Sequence, residues 1–122
     1  MIAAYDDPTG VTAAFNLNVL GRINRELDGN FDLRSFTHEA RWNSKDRCIE
    51  MHLVSRRAQE IRIDGMENAV AFREGESICT ELSHKFAEQE MISFAISSGF
   101  HSVAMWTDSK WPFVEALWRA DE

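Results

Sequence analysis

Glu81 and Ser83 place a carboxylate and a hydroxyl two residues apart in the stretch 76–84, whose polar and apolar side chains alternate. This alternation predicts a β-strand. One face of the predicted strand carries Ser77, Cys79, Glu81 and Ser83, and the other carries Ile78, Thr80, Leu82 and His84. Because Glu81 and Ser83 share a face, they could together hydrogen-bond a polar ligand. A solvated strand face would explain the same pattern, so both interpretations stay open at this point.

The cysteines and histidines lack the spacing of a metal site. Cys48 and Cys79 stand alone, whereas a structural zinc site needs closely spaced pairs of ligands. We therefore expect both cysteines to be buried and reduced. No two histidines form an HxH or HxxxH pair, so we expect all four to be hydrogen-bonded or at the surface: His38, His52, His84 and His101. The sequence thus predicts no bound metal.

The composition excludes two classes of partner. The net charge is −7 over 122 residues, and the basic doublet Arg56-Arg57 is far from the stripe of Lys and Arg that nucleic-acid binding requires. No apolar run approaches the roughly 20 residues that cross a bilayer, and residues 1–10 do not resemble a signal peptide. We expect a cytoplasmic globular protein with neither nucleic-acid nor membrane partners.

The first part of the chain predicts a helix followed by an antiparallel β-meander. Asp7 suits the cap of a helix over 8–28, Pro8 suits its first position, and Gly29 follows its end. Its expected buried stripe consists of Phe15, Val19, Leu20, Ile23 and Leu27. Strands are then expected over 36–43, 47–55 and 58–64, with a turn at 43–46, before the strand 76–84.

The last part of the chain predicts a helix and a hairpin. The helix covers 86–98, with Glu88 and Glu90 in its first turn and Gly99 after its end. Strands over 101–107 and 112–119 form the hairpin, with core positions expected for Trp106, Trp111 and Trp118. The fold class is therefore α+β: an N-terminal helix packed on an antiparallel meander, then a helix and a C-terminal β-hairpin.

Four stretches together resemble one family. They are AYDDPTGVTAAFNLNVLGRINREL at 4–27, FTHEARWN at 36–43, IEMHL at 49–53 and GESICTELSHKF at 75–86. They resemble the histidine-specific, S-adenosylmethionine-dependent methyltransferases of ergothioneine biosynthesis, which trimethylate the α-amino nitrogen of histidine. The resemblance covers nearly the whole chain, and no common fold requires a motif such as YDDPTGVTAAFN.

The resemblance implies a substrate role for four residues. Tyr5 is similar to the family tyrosine whose hydroxyl contacts the substrate carboxylate. Glu81 and Ser83, in the motif TELS, match the pair that hydrogen-bonds the imidazole, and Met51, in IEMHL, matches a methionine that lines the pocket. The chemistry is consistent, because a neutral imidazole offers one donor and one acceptor. The resemblance therefore favours the functional interpretation of Glu81 and Ser83 over the solvated strand face.

The cofactor site that the resemblance implies has no counterpart in this sequence. Class I methyltransferases hold S-adenosylmethionine on a Gly-rich loop of a doubly wound sheet, and none of the six glycines here forms such a cluster. The family places that part, with further substrate contacts, upstream. We therefore expect residues 1–85 to form most of a substrate-recognition portion. Residues 86–122 resemble the helix and hairpin at the end of the methyltransferase sheet.

These features lead to one main hypothesis and two alternatives. The main hypothesis is the histidine-binding portion of the methyltransferase, which binds no S-adenosylmethionine and is inactive without the rest of the enzyme. The first alternative is a free-standing module that binds an amino acid or docks to a methyltransferase subunit. The second is a methyltransferase for another amino acid. Isolated from its sheet, the hairpin over 101–119 should expose strand edges and apolar faces bearing Trp106, Phe113 and Trp118, which predicts a homodimer or larger assembly.

Overall fold

The computed structural model describes residues 2–111 and 113–121. The two helices are α1, Val11–Glu26, and α2, Glu88–Ser97. The strands are β1 Phe36–Asn43, β2 Cys48–Ser55, β3 Gln59–Ile61, β4 Val70–Phe72, β5 Ser77–His84, β6 Phe100–Thr107 and β7 Val114–Ala120. Short 3-10 turns cover Ile2–Ala4 and Leu33–Ser35. The predicted α+β class, with a helix on an antiparallel sheet followed by a helix and a hairpin, is confirmed.

The chain divides into two units, one up to His84 and the other from Lys85 onward. In the first unit, β1, β2 and β5 form a three-stranded antiparallel sheet in that order. The predicted third strand, 58–64, shortens to β3 and pairs with β4 in a separate ribbon. Sequence alternation did not predict β4, because three residues are too few to show a period of two. The meander therefore continues from β2 to β5 across this ribbon.

Helix α1 begins later than predicted, although its expected cap is present. The Asp7 carboxylate accepts hydrogen bonds from the backbone N–H groups of Val11 (3.1 Å) and Thr12 (2.8 Å). These two groups would otherwise be unsatisfied at the helix N-terminus. Pro8 consequently lies before the helix and not at its first position. The prediction of a helix starting at residue 8 is wrong, because the Asp7 side chain reaches across an extra turn.

The buried side of α1 differs from the predicted stripe. Leu20 is buried and Ile23 is half-buried, as expected. The other three predicted members are exposed: Phe15, Val19 and Leu27. Asn16 is buried in their place, with 4% of its surface exposed. The sequence carries apolar residues on two adjoining sides of this helix, and contact with the sheet selects the side that carries Asn16 and Leu20.

The core of the first unit joins the helix, the sheet and the ribbon. Its buried cluster consists of Leu20, Phe31, Phe36, Leu53, Ile61 and Phe72. The rings of Phe36 and Phe72 meet edge to face, with their centroids 5.5 Å apart, a geometry that aromatic pairs favour. Because Leu53 lies on β2, this core holds in place the strand that also carries Met51 of the candidate site and that pairs with β5.

The second unit consists of α2 and the hairpin of β6 and β7. Glu88 and Glu90 lie in the first turn of α2, and Gly99 adopts the left-handed conformation after its end (φ 76°), both as predicted. The core prediction for the tryptophans is wrong for Trp106 and Trp111, which are 56% and 72% exposed. One helix and two strands have too little surface to enclose them within this unit.

Candidate functional site

The register of β2 and β5 brings three predicted site residues onto one face of the sheet. Met51 pairs directly with Glu81, and Ile49 pairs with Ser83. Residues that pair across antiparallel strands project to the same face. Met51 is buried, Ser83 is half-buried and Glu81 is exposed. The sheet thus presents a thioether, a hydroxyl and a carboxylate side by side, with the carboxylate at the surface.

A β-bulge in β5 changes the predicted composition of this face. His52 pairs with Cys79 while Met51 pairs with Glu81, so Thr80 is the extra residue, and its hydroxyl donates to the Met51 carbonyl at 2.9 Å. The bulge turns Ser77 and Cys79 to the opposite face from Glu81, contrary to the alternation. It also leaves Cys79 exposed, so its predicted burial is wrong, whereas Cys48 is buried and reduced as predicted.

Tyr5 reaches the same face from the N-terminal 3-10 turn. Its hydroxyl lies 2.8 Å from the hydroxyl of Ser83, 78 residues away in the sequence. The four residues that the family resemblance singled out are therefore brought together around one hydrogen bond. Tyr5 and Ser83 contact each other directly, although the resemblance assigns them to opposite ends of the substrate.

Behind Tyr5 lies a chain of hydrogen bonds that the sequence did not reveal. His38 Nε2 lies 2.7 Å from the Tyr5 carbonyl oxygen, and His38 Nδ1 lies 2.9 Å from Asn16 Nδ2. The signal that could have identified this pair is Asn16 itself, a polar residue with poor helix propensity in the middle of α1. The prediction that His38 and His52 are hydrogen-bonded is confirmed.

An open apolar cavity of about 480 Å³ adjoins the Ser83 position. Its lining residues are Ile2, Ala3, Trp42 and Ile49. Trp42 pairs with Ile49, which pairs with Ser83, so the cavity and the candidate site share one face. A second cavity of about 630 Å³ lies in the loop between β3 and β4 and contains none of the four candidate residues. The lining of the first cavity does not include them either, but its Ile49 pairs with Ser83, so the first cavity is the one next to the candidate residues.

The opposite face of the sheet carries a polar network whose members satisfy one another. His52 lies 2.9 Å from a Glu50 oxygen and 3.1 Å from the Ser77 hydroxyl. Hydrogen bonds from Asn43 and then from His52 hold the pKa of the Glu50 carboxyl below its usual value. By contrast, within residues 2–111 and 113–121, the Glu81 carboxylate has no hydrogen-bond or ion-pair partner. Glu81 is therefore the carboxylate that remains available to a ligand.

The described residues do not offer a site for S-adenosylmethionine or for a metal. Every strand pair in the described ranges is antiparallel, so the parallel strand–loop–helix cradle of a class I methyltransferase is not found there. The connection from β5 to α2 is Lys85-Phe86-Ala87, which has no glycine. In the same part of the chain, no three side chains of His, Cys, Asp or Glu are grouped as metal ligands.

The described helices are also too short or too polar to cross a membrane. The longer, α1, has 16 residues and includes charged side chains.

Comparison with known proteins assigns the chain to a family. A family model described as histidine-specific methyltransferase, SAM-dependent, matches residues 1–120. The chain is 44% identical over 108 residues to the histidine N-alpha-methyltransferase of Mycolicibacterium smegmatis, covering 88% of this chain and 34% of that protein. Its identity to the Mycobacterium tuberculosis histidine N-alpha-methyltransferase is also 44%, over 113 residues, covering 93% and 35% respectively. The chain thus spans about a third of these curated relatives, and it belongs to the family of histidine-specific, S-adenosylmethionine-dependent methyltransferases.

Proposed function

We propose that this chain forms the histidine-binding portion of an enzyme that transfers methyl groups from S-adenosylmethionine to the α-amino nitrogen of histidine. The observation that carries the proposal is the convergence of Tyr5, Met51, Glu81 and Ser83 on one sheet face. Family membership supports the choice of histidine as the ligand. The chain orients the substrate, and none of its side chains needs to act as a nucleophile, because holding a reactant in position is itself a large part of such catalysis.

The arrangement suits an imidazole. Glu81 offers an acceptor that no described residue occupies, and Ser83 offers a hydroxyl that can donate or accept. A neutral imidazole needs one acceptor for its N–H and one donor for its other nitrogen. Met51 and the apolar cavity beside Ile49 provide contact surface for the ring. We infer that Glu81 and Ser83 bind the two ring nitrogens over this apolar floor.

Substrate binding must separate Tyr5 from Ser83. The two hydroxyls are 2.8 Å apart, whereas the proposed roles place Ser83 at the imidazole and Tyr5 at the carboxylate of one histidine. These two groups of the substrate are separated by several bonds. We infer that the hydrogen bond between the two hydroxyls is replaced by one bond from each hydroxyl to the substrate. Each hydroxyl therefore has a hydrogen-bond partner in both the empty and the filled site.

The unit from Lys85 onward has a different proposed role. Its helix and hairpin resemble the end of a class I methyltransferase sheet. Among the residues that the structure describes, each strand of the hairpin pairs only with the other, so each has an open edge. We propose that residues 86–122 belong to the methyltransferase domain, while residues 1–85 recognise the substrate. We infer that the cofactor is bound by parts of the family architecture other than these residues.

Calorimetry and ligand-observed NMR of the chain test the proposed function. We expect histidine to bind with millimolar affinity, because the family makes further substrate contacts outside these residues. We expect no specific binding of S-adenosylmethionine, because the described residues offer no cradle for it. Leucine, which has no ring donor, is the matched ligand control and should bind more weakly than histidine. Micromolar binding of S-adenosylmethionine, or equal binding of leucine and histidine, would contradict the proposal.

We also propose that the hairpin associates with a second copy of the chain. Its exposed apolar side chains are Val103, Trp106, Trp111, Phe113 and Leu117. Unpaired strand edges next to exposed apolar surface favour pairing with another chain. Light scattering across a concentration series should give a mass above that of one chain, and Trp106→Lys should lower it. A matched substitution in the first unit, Val11→Lys, should not. A monomer at millimolar concentration would contradict this expectation.

A further inference from the structure

The buried amide of Asn16 is the starting point. Asn16 lies in the middle of α1 with 4% of its surface exposed, and its Nδ2 lies 2.9 Å from His38 Nδ1 and 3.4 Å from the His52 carbonyl oxygen. A carbonyl oxygen can only accept, so the group that faces it must be the NH₂. The reverse orientation would place two oxygens against each other. Asn16 therefore donates to His38 Nδ1.

This donation determines where the His38 ring carries its proton. Nδ1 accepts from Asn16, so Nδ1 is not protonated. Nε2 faces the carbonyl oxygen of Tyr5 at 2.7 Å, so Nε2 must donate. The ring is consequently the neutral tautomer with its proton on Nε2. A second hydrogen bond that fixes tautomer and ring orientation is the usual way in which proteins direct a histidine toward its partner.

The Nε2 proton is donated to the backbone carbonyl of Tyr5, whose phenol hydroxyl belongs to the candidate site. Residues 2–6 fold locally, with the backbone N–H groups of Tyr5 and Asp6 both donating to the Ile2 carbonyl. Tyr5 ties this turn to the sheet through its carbonyl, which accepts from His38, and through its hydroxyl, which lies 2.8 Å from the Ser83 hydroxyl. The carbonyl bond belongs to the backbone, so it can persist while the side chain rotates.

We propose that His38 is a positioning residue for the histidine site. His38 anchors the backbone of Tyr5 to the sheet. The Tyr5 hydroxyl can then leave Ser83 and bind the substrate carboxylate while the N-terminal turn stays in place. Asn16 keeps the His38 ring in the tautomer that this anchor requires. The inference rests on the proposed function, which it deepens. His38 itself does not touch the substrate.

The test uses the single tyrosine of the chain as a probe. Because Tyr5 is the one tyrosine in the sequence, ring-labelled tyrosine gives one NMR signal set that needs no assignment. His38→Leu removes the donor to the Tyr5 carbonyl. His38→Gln retains an N–H at similar reach and is the conservative rescue. Thr37→Leu, on the opposite face of the same strand and exposed, is the matched control.

We expect His38→Leu to shift the tyrosine ring signals to those of a solvent-averaged side chain. It should also weaken histidine binding about 3- to 10-fold, the effect of losing one neutral hydrogen bond. His38→Gln should restore both properties, and Thr37→Leu should change neither. Long-range ¹H–¹⁵N spectra should show His38 protonated on Nε2, with the tautomers mixed in Asn16→Ala.

The outcomes separate the inference from the proposed function. If His38→Leu leaves the tyrosine signals and the histidine affinity unchanged, or if His38 carries its proton on Nδ1, the inference is overturned. If the unsubstituted chain shows no response to histidine, the proposed function fails for this chain. The inference that His38 anchors Tyr5 is then decided by the ring signals and the tautomer, which need no ligand. Melting curves of all variants exclude unfolding as the cause of a change.

Discussion

Glu81→Ala is expected to lower kcat/KM for histidine about 10- to 150-fold in an intact enzyme that contains this chain, because hydrogen bonds to charged groups contribute about 1.5–3 kcal/mol. The substitution removes a carboxylate that lies beside Ser83 and that no described residue engages. The loss should be larger for histidine than for an amino acid without a ring donor. Specificity should therefore relax as activity falls. Steady-state kinetics with both substrates measure this.

Three further variants identify the origin of the Glu81 effect. Glu81→Gln keeps an acceptor oxygen without the charge, so its loss should be smaller than that of the alanine variant. Ser83→Ala removes a neutral hydroxyl and should cost about 0.5–1.5 kcal/mol, or roughly 2- to 13-fold. Glu60→Ala is the matched control, an exposed carboxylate on β3 and outside the candidate site. Wild-type kinetics for Glu81→Ala would mean that Glu81 belongs to a solvated strand face.

Leu53→Ala is expected to have the largest effect on stability, about 2–5 kcal/mol, because it removes buried methyl groups and leaves a cavity. Leu53 is 0% exposed and belongs to the cluster that joins α1, the sheet and the ribbon. On β2 it pairs with His38 on one side and with Ile78 on the other. Its truncation should therefore weaken the strand that also carries Met51.

The free energy of unfolding of Leu53→Ala must be measured for the first unit alone, since the chain divides into two units. Hydrogen exchange of the β2 amides in native conditions gives that local free energy of unfolding. Val54→Ala is the matched control, because Val54 is the next residue on β2, projects to the opposite face and is half-buried. Val54→Ala should lower the free energy of unfolding by only about 1 kcal/mol, within the usual range for a partly exposed site. Equal losses for the two variants would contradict the assignment of Leu53 to the core.

Several parts of the fold followed from short-range patterns that act within one element. The stretch Phe36–Asn43 alternates with a period of two and forms β1 with the expected bounds. Glu81 and Ser83 share a face because residues two apart on a strand always do when no bulge lies between them. Gly99 adopts the left-handed conformation after α2, which costs glycine little. These features depend on backbone geometry and on the residue itself, so the sequence alone could predict them.

Other parts of the fold depended on how one element packs or pairs with another. The bulge at Thr80 exists only relative to β2, so alternation within β5 placed Ser77 and Cys79 on the wrong face. The sequence of α1 permits two apolar sides, and packing on the sheet buried Asn16 beside Leu20 while leaving Phe15 exposed.

The candidate site shows the same division between sequence and tertiary structure. The motifs alone identified Tyr5, Met51, Glu81 and Ser83 as a set, through the family resemblance. The contact between Tyr5 and Ser83, and the bonds from Asn16 through His38 to Tyr5, join residues from the N-terminal turn, α1, β1 and β5. A hydrogen bond needs two groups within about 3 Å in a defined orientation, and spacing along the chain does not determine that distance for residues on different elements. Only the tertiary structure could therefore place His38 behind Tyr5.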